Sequence, residues 1–100
     1  MRTSDGTAII KSSGDVFADL GFSPAECRCL QLRSRMMTAL RKYIEKEGLT
    51  QREAAKRLNV SQPQISDLTR GKIDRFSLDT LVSMLTDAGI EVDLRIKSAA

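Results

Sequence analysis

The residues most suited to chemistry lie in a polar run near the middle of the chain, "SQPQISDLTRGK", residues 61–72. Gln62 and Ser66 are four residues apart, as are Pro63 and Asp67, so a helix would present all four on one side. A glutamine amide offers a donor and an acceptor to a base edge, and a serine hydroxyl can bond to several bases. The spacing therefore predicts a polar helical face suited to the major groove of DNA.

The sequence contains no pattern that indicates catalysis or metal binding. It has no His, and its two cysteines, Cys27 and Cys29, stand together in "ECRCL". Because a zinc site usually needs four ligands, no metal site and no cofactor are predicted. The two thiols are interpreted as reduced cysteines. No nucleophile motif or Gly-rich phosphate loop occurs, so the protein is predicted not to be an enzyme.

Basic charge is concentrated in the centre of the chain, where residues 25–75 hold 12 basic and six acidic residues, a net charge of +6. Clustered positive charge is typical of a phosphate-binding surface. The alternative is an ordinary solvated helix surface. That interpretation is preferred over DNA contact for four side chains of the first long helix: Arg33, Arg35, Arg41 and Lys42.

Three capping signals predict a helical protein. "SPAE", "TQRE" and "SQPQ" each place Ser or Thr three residues before Glu or Gln, the pattern that starts a helix. Gly48, Gly71 and Gly89 are predicted to end helices, and a fourth helix is predicted to start near Ser77. Apolar residues at helical spacing then predict the core. They are Met36, Met37, Leu40, Tyr43, Ile44, Ala54, Ala55, Leu58, Val60, Ile65, Leu68, Leu78, Leu81, Val82 and Leu85.

The end of the chain changes its hydrophobic period from the helical one to two. Apolar and charged residues alternate there, which predicts a β-strand. Its apolar face consists of Ile90, Val92, Leu94 and Ile96. A strand without a partner leaves its backbone groups unpaired, so pairing with the same strand of a second chain is predicted. The alternative is a strand that folds back on "TAII", residues 7–10.

These elements predict a mainly α protein, a compact helical bundle with a helix-turn-helix and a C-terminal β-strand used for dimerisation. The predicted parts are an N-terminal arm (residues 1–24), a helix-turn-helix DNA-binding domain (residues 25–88) and a dimerisation strand (residues 89–97). No apolar run is long enough for a transmembrane helix and no secretory signal is evident, so a cytoplasmic location is predicted.

Residues 50–72 resemble the helix-turn-helix of the Cro and phage-repressor class, the xenobiotic-response-element (XRE) family with its lambda-repressor-like fold. "VFADLGF", "FSLDTLVSML" and "GIEVDLRIK" extend the resemblance to HigA-type antitoxins. The resemblance implies a transcriptional repressor that binds a palindromic operator in double-stranded DNA as a homodimer. It also implies a cognate toxin protein, an mRNA-cleaving enzyme that the antitoxin of a type II toxin–antitoxin system neutralises. Two alternatives are a solitary XRE-family regulator and a protein-interaction module that has lost DNA binding.

The resemblance also implies individual roles. The residues that match base-reading positions are Gln62, Pro63, Ser66 and Asp67. Those that match phosphate-binding positions are Gln51, Arg70, Lys72 and Arg75. Ser61 and Gln64 either contact DNA or cap the helix. Asp67 departs from the family pattern, because relatives often carry Arg or Gln there; it accepts from cytosine N4, repels DNA, or pairs with Arg70 or Lys72.

Overall fold

The computed structural model describes residues 16–98, and every regular secondary-structure element in that range is a helix. The elements are α1 (Val16–Asp19), α2 (Pro24–Glu47), α3 (Gln51–Leu58), α4 (Gln62–Thr69), a 3-10 helix (Ile73–Arg75) and α5 (Leu78–Asp87). The predicted mainly helical fold with its helix-turn-helix is confirmed. The 3-10 helix between α4 and α5 was not predicted.

All three predicted capping boxes are confirmed. At the start of α2 the Ser23 N–H donates to Oε1 of Glu26 over 2.8 Å, and the Glu26 N–H donates to Ser23 Oγ over 3.2 Å. Thr50 and Glu53 exchange the same pair of bonds at the start of α3. Each box satisfies backbone donors that have no partner inside the helix. The hydrogen bond from the Ser23 backbone N–H lowers the pKa of the Glu26 carboxyl. The hydrogen bond from the Thr50 backbone N–H lowers the pKa of Glu53 in the same way.

The chain divides into two compact units between Gln31 and Leu32, inside α2. In the described part of the first unit, the rings of Phe17 and Phe22 meet edge to face with centroids 6.4 Å apart. Cys27 is buried, and its thiol donates to the Phe22 carbonyl. A groove of about 290 Å³, here named the α1 groove, is lined by Ala18, Phe22, Pro24, Cys27, Arg28 and Gln31.

The second unit has a continuous apolar core. Its buried residues are Met37, Leu40, Ile44, Ala54, Leu58, Ile65, Leu68, Phe76, Leu81, Met84 and Leu85. Most of these were predicted, but Phe76 and Met84 were missed, and the prediction that Val82 faces inward is wrong, since it is 38% exposed. The buried face of α5 passes through Leu81, Met84 and Leu85. Val82 lies about 100° around the helix from Leu81 and turns to the solvent.

The predicted C-terminal β-strand is wrong for the single chain, because no strand occurs among residues 16–98. Ile90 belongs to the end of α5 instead: its N–H donates to the Leu85 carbonyl over 2.9 Å, and its side chain packs on the core. With Gly89 at a φ of 79°, this is a Schellman cap. Residues 91–98 are exposed, and no other segment of the described range pairs with them to complete a strand ladder. Residues 7–10, the alternative partner, lie outside the described residues.

None of the helices in the described part of the chain is long and apolar enough to cross a membrane.

Candidate nucleic-acid interface

A turn of three residues joins α3 to α4 and fixes their arrangement. Asn59 adopts a left-handed conformation (φ 58°, ψ 45°), and the Val60 N–H donates to the Ala55 carbonyl over 3.0 Å. Asn tolerates this conformation better than most residues, so the turn can close without Gly. Leu58 and Ile65, both fully buried, hold the two helices together from the inside. The opposite side of α4 is left to the solvent.

The outer side of α4 carries the predicted base-reading residues. Gln62 and Pro63 are exposed in the first turn, and Ser66 and Asp67 follow one turn later, each partly exposed. The helix therefore brings these four side chains together on one surface, as their spacing predicts. Whether they read bases stays a prediction.

Ser61 and Gln64 form a capping box at the start of α4. The Ser61 N–H donates to Oε1 of Gln64 over 2.9 Å, and the Gln64 N–H donates to Ser61 Oγ over 3.3 Å. The carbonyl end of the Gln64 side chain is thus occupied by the cap, while its amide NH₂ has no partner among the described residues. Because the box fixes the helix start, it also fixes the direction in which the neighbouring Gln62 extends.

The predicted phosphate-binding residues lie at the start of α3 and after α4. Gln51 is the exposed first residue of α3, where backbone N–H groups point outward. Arg70 is the exposed C-cap of α4, and Lys72 follows the turn at Gly71. Arg75 Nε lies 4.0 Å from Asp74 Oδ2, but both side chains are well exposed. Such a surface pair holds the guanidinium only weakly, so it could turn to another anion.

Asp67 is the acidic residue among the four predicted base-reading side chains of α4. Its backbone carbonyl accepts from the Lys72 N–H over 2.9 Å, which closes the turn after α4. Its carboxylate forms no ion pair with any residue of the described range 16–98. The alternative in which Asp67 pairs with Arg70 or Lys72 is therefore not the arrangement in the structure.

Arg41 lies at this surface, although the sequence analysis interpreted it as part of a solvated helix face. Its guanidinium lies beside the turn after α4, so that a Cβ built on Gly71 would stand 3.3 Å from Nη1 of Arg41. Nη2 donates to Thr38 Oγ1 over 3.4 Å, which steadies the side chain along α2. No local pattern could have revealed this position, because α2 and the turn meet only through the packing of the core.

Unlike Arg41, the basic residue Arg57 of α3 is held in a contact between helices. Its Nη1 donates to Tyr43 Oη over 3.3 Å and to Glu47 Oε1 over 3.2 Å, linking α3 to α2. The hydrogen bond to Tyr43, reinforced by the Glu47 carboxylate, raises the pKa of Arg57. This guanidinium is therefore less available for a phosphate than that of Arg70.

No group of three or more His, Cys, Asp or Glu side chains that could hold a metal ion occurs among the described residues.

Two short helices clamped across a three-residue turn, with a polar outer side on the second, define the helix-turn-helix class of DNA-binding proteins. Residues 16–97 match the helix-turn-helix domain family, and the chain belongs to that family. Membership indicates a DNA-binding regulator, and such families are typically non-enzymatic. No curated protein matches the sequence.

Proposed function

We propose that the protein is a sequence-specific transcriptional repressor whose α4 enters the major groove of double-stranded DNA. The observation that carries this proposal is the exposed polar side of α4 within a helix-turn-helix family member. In this class the second helix reads base edges near its N-terminus. Here that part of the helix carries Gln62, Pro63, Ser66 and Asp67. An amide, a hydroxyl and a carboxylate can each distinguish some bases from others.

The contacts to the DNA backbone come from both ends of the helix pair. Gln51 offers a helix start on one side, while Arg70, Lys72 and Arg75 supply positive charge on the other. Arg41 adds a guanidinium next to Gly71, within the same basic surface. Phosphate contacts of this kind fix the register of the protein on the duplex, and base contacts then determine the sequence that is preferred.

Fluorescence-anisotropy titrations test this proposal, with a duplex that covers the promoter of the protein's own gene and a scrambled duplex of equal length. We expect tighter binding to the promoter. Affinity should fall with salt at a slope of about −0.9 per neutralised phosphate. Equal, weak and salt-insensitive binding to both duplexes would support the alternative of an interaction module that has lost DNA binding.

The proposed repressor works as a homodimer joined by residues 91–97. In an antiparallel pair with Leu94 on the two-fold axis, Glu91 faces Lys97 of the second copy and Asp93 faces its Arg95. This register brings opposite charges together on one face. Leu94 and Ile96 are 74% and 85% exposed in the single chain, so pairing would remove apolar surface from water. A two-fold dimer of this class fits a palindromic operator whose half-sites lie about 34 Å apart.

The proposed repressor also acts as an antitoxin that neutralises an mRNA-cleaving toxin, a role that rests on the resemblance to HigA-type antitoxins. The first unit supports a protein partner, because Leu20 is 71% exposed and Phe22, which lines the α1 groove, is 42% exposed. Exposed apolar side chains that lie close together are typical of interaction surfaces. The alternative is a solitary regulator without a toxin.

Co-expression with the product of the adjacent gene tests the antitoxin role. The adjacent product alone should arrest growth, and the full chain should restore it. Phe22→Ala should weaken the rescue, whereas Val82→Ala, a change at a similarly exposed apolar residue of α5, should not. Two proteins that elute separately after mixing would favour the solitary regulator.

A further inference from the structure

Asp67 is the one acidic residue within α4, Gln62–Thr69. It lies one helical turn after Pro63 and next to Ser66, on the side of the helix that faces away from the core. Its carboxylate has no ion-pair partner in residues 16–98, although Arg70 and Lys72 follow within five residues. The main chain of Lys72 is bonded to the Asp67 carbonyl, so the turn is closed without using the carboxylate. The negative charge is thus left for a partner other than the described residues.

A carboxylate in the major groove can only accept hydrogen bonds. Guanine presents the acceptors N7 and O6 there, and thymine presents the acceptor O4 and a methyl group. Adenine offers the N6 amino group, but with the acceptor N7 beside it. Cytosine offers its N4 amino group without an acceptor of its own. The surrounding phosphates repel an unpaired carboxylate, so only a base with a matching donor can offset that repulsion.

We infer that Asp67 is a specificity-determining residue that selects a cytosine at one position of each operator half-site. This inference rests on the proposed DNA-binding function. The same carboxylate weakens binding to every sequence that has no amino group at that position. Asp67 therefore separates the operator from other DNA largely by penalising the wrong bases, which is a way to gain specificity without greater affinity.

The experiment is the selection of binding sites from a pool of duplexes with a randomised central segment. Four full-length proteins are compared: wild type, Asp67→Asn, Asp67→Ala and the control Asp87→Asn. Asp87 is an exposed carboxylate at the end of α5, so its variant matches the loss of charge without altering the outer side of α4. Circular dichroism of each protein checks that the helical fold is retained.

Wild type and Asp87→Asn should select the same sites, with cytosine at one fixed position of each half-site. Replacing that cytosine should weaken wild-type binding roughly 10-fold to 100-fold. Asp67→Asn should shift the preference towards adenine, because an asparagine amide can bond to both N6 and N7. Asp67→Ala should lose the preference at that position and bind random duplexes more tightly than wild type.

Two results would overturn the inference in distinguishable ways. If wild type selects a defined site but Asp67→Asn and Asp67→Ala select the same site with equal discrimination, Asp67 does not read a base, and the proposed DNA-binding function stands. If wild type selects no site at all, the proposed function fails and the role of Asp67 fails with it.

Discussion

The guanidinium of Arg41 lies beside Gly71 at the end of α4, with Nη1 3.3 Å from the position that a Cβ added to Gly71 would occupy. The two residues are 30 positions apart in the sequence. Their approach brings the guanidinium of a residue in α2 to the end of α4, the helix proposed to enter the major groove. Gly71 also has a φ of 74°, a conformation that L side chains rarely adopt. Gly71 therefore allows the backbone to make the turn, and its lack of a side chain leaves room for the Arg41 guanidinium.

Gly71→Ala should lower the free energy of unfolding by about 1–2 kcal/mol, because alanine is strained in a left-handed conformation. The added methyl group should also displace the Arg41 guanidinium by a few tenths of an ångström. We expect weaker DNA binding in the same variant, measured by fluorescence anisotropy at fixed salt.

Gly48→Ala and Gly89→Ala are matched controls, since both glycines have positive φ values but no atom within 4 Å of an added Cβ. They should lose similar stability and keep full DNA affinity. Equal losses of DNA affinity in all three variants would show that the contact with Arg41 has no role in binding.

Glu53 should make the stability of the fold depend on pH in the acidic range. The hydrogen bonds of the capping box lower its pKa in the folded state below the ordinary value of 4.5. Its contribution is therefore present above the unfolded pKa and is lost as the pH falls through the folded one. We expect Glu53→Gln to reduce the drop in Tm between about pH 5 and about pH 3. A Glu53→Gln variant whose Tm falls as far as that of wild type over this range would show that the capping box does not couple stability to pH.

The helices could be predicted from the sequence because their signals are local. Each capping side chain accepts a hydrogen bond from the backbone N–H only three residues later, as in Ser23, Thr50 and Ser61. Helices end at Gly48 and Gly89 because glycine readily adopts a positive φ. The side chains of α4 share a surface because helical geometry alone puts them there.

The details that escaped prediction depend on contacts between distant segments. Val82 lies at helical spacing from Leu78 and Leu85, and Met84 lies at helical spacing from Leu81, so only the packing of α5 on the core selects Met84. Phe76 lies outside any periodic segment, yet it is buried. The contact of Arg41 with the turn after α4 likewise depends on how α2 packs. For residues 91–97, the alternation of apolar and charged residues predicted a strand, but a strand needs a neighbouring strand, and residues 16–98 of the single chain do not provide one.

Base and phosphate contacts should respond differently to mutation. Gln62→Ala should cost about 1–3 kcal/mol on the operator and little on scrambled DNA, because it removes a contact to a base edge. Arg70→Ala should weaken binding to both duplexes alike and reduce the salt slope by about one. Ser83→Ala, at an exposed position of α5, should match wild type throughout. Unchanged operator affinity in Gln62→Ala would rule out its base-reading role.

Residues 91–97 should determine the oligomeric state, which light scattering of the full chain and of a chain ending at Ile90 can measure. We expect the full chain to be a dimer and the truncated chain a monomer that retains its helical circular dichroism, since the core ends with α5 and Ile90. Operator binding should weaken greatly in the truncated protein, because two monomers must then bind the two half-sites independently, whereas a dimer binds both at once. A truncated chain that stays dimeric would place the interface on the helices.

Exchanging charges tests the register of this dimer more sharply than truncation does. With Leu94 on the two-fold axis, Asp93 of each copy faces Arg95 of the other, so Asp93→Arg places like charges opposite each other twice per dimer. That variant should dissociate at a higher protein concentration than wild type. Adding Arg95→Asp restores opposite charges in the same register, so the double variant should recover the wild-type dimer. Arg75→Asp, a charge reversal outside the segment, should not change the dissociation constant measured by analytical ultracentrifugation. A double variant that is weaker than Asp93→Arg alone would contradict the register and with it the antiparallel pairing about Leu94.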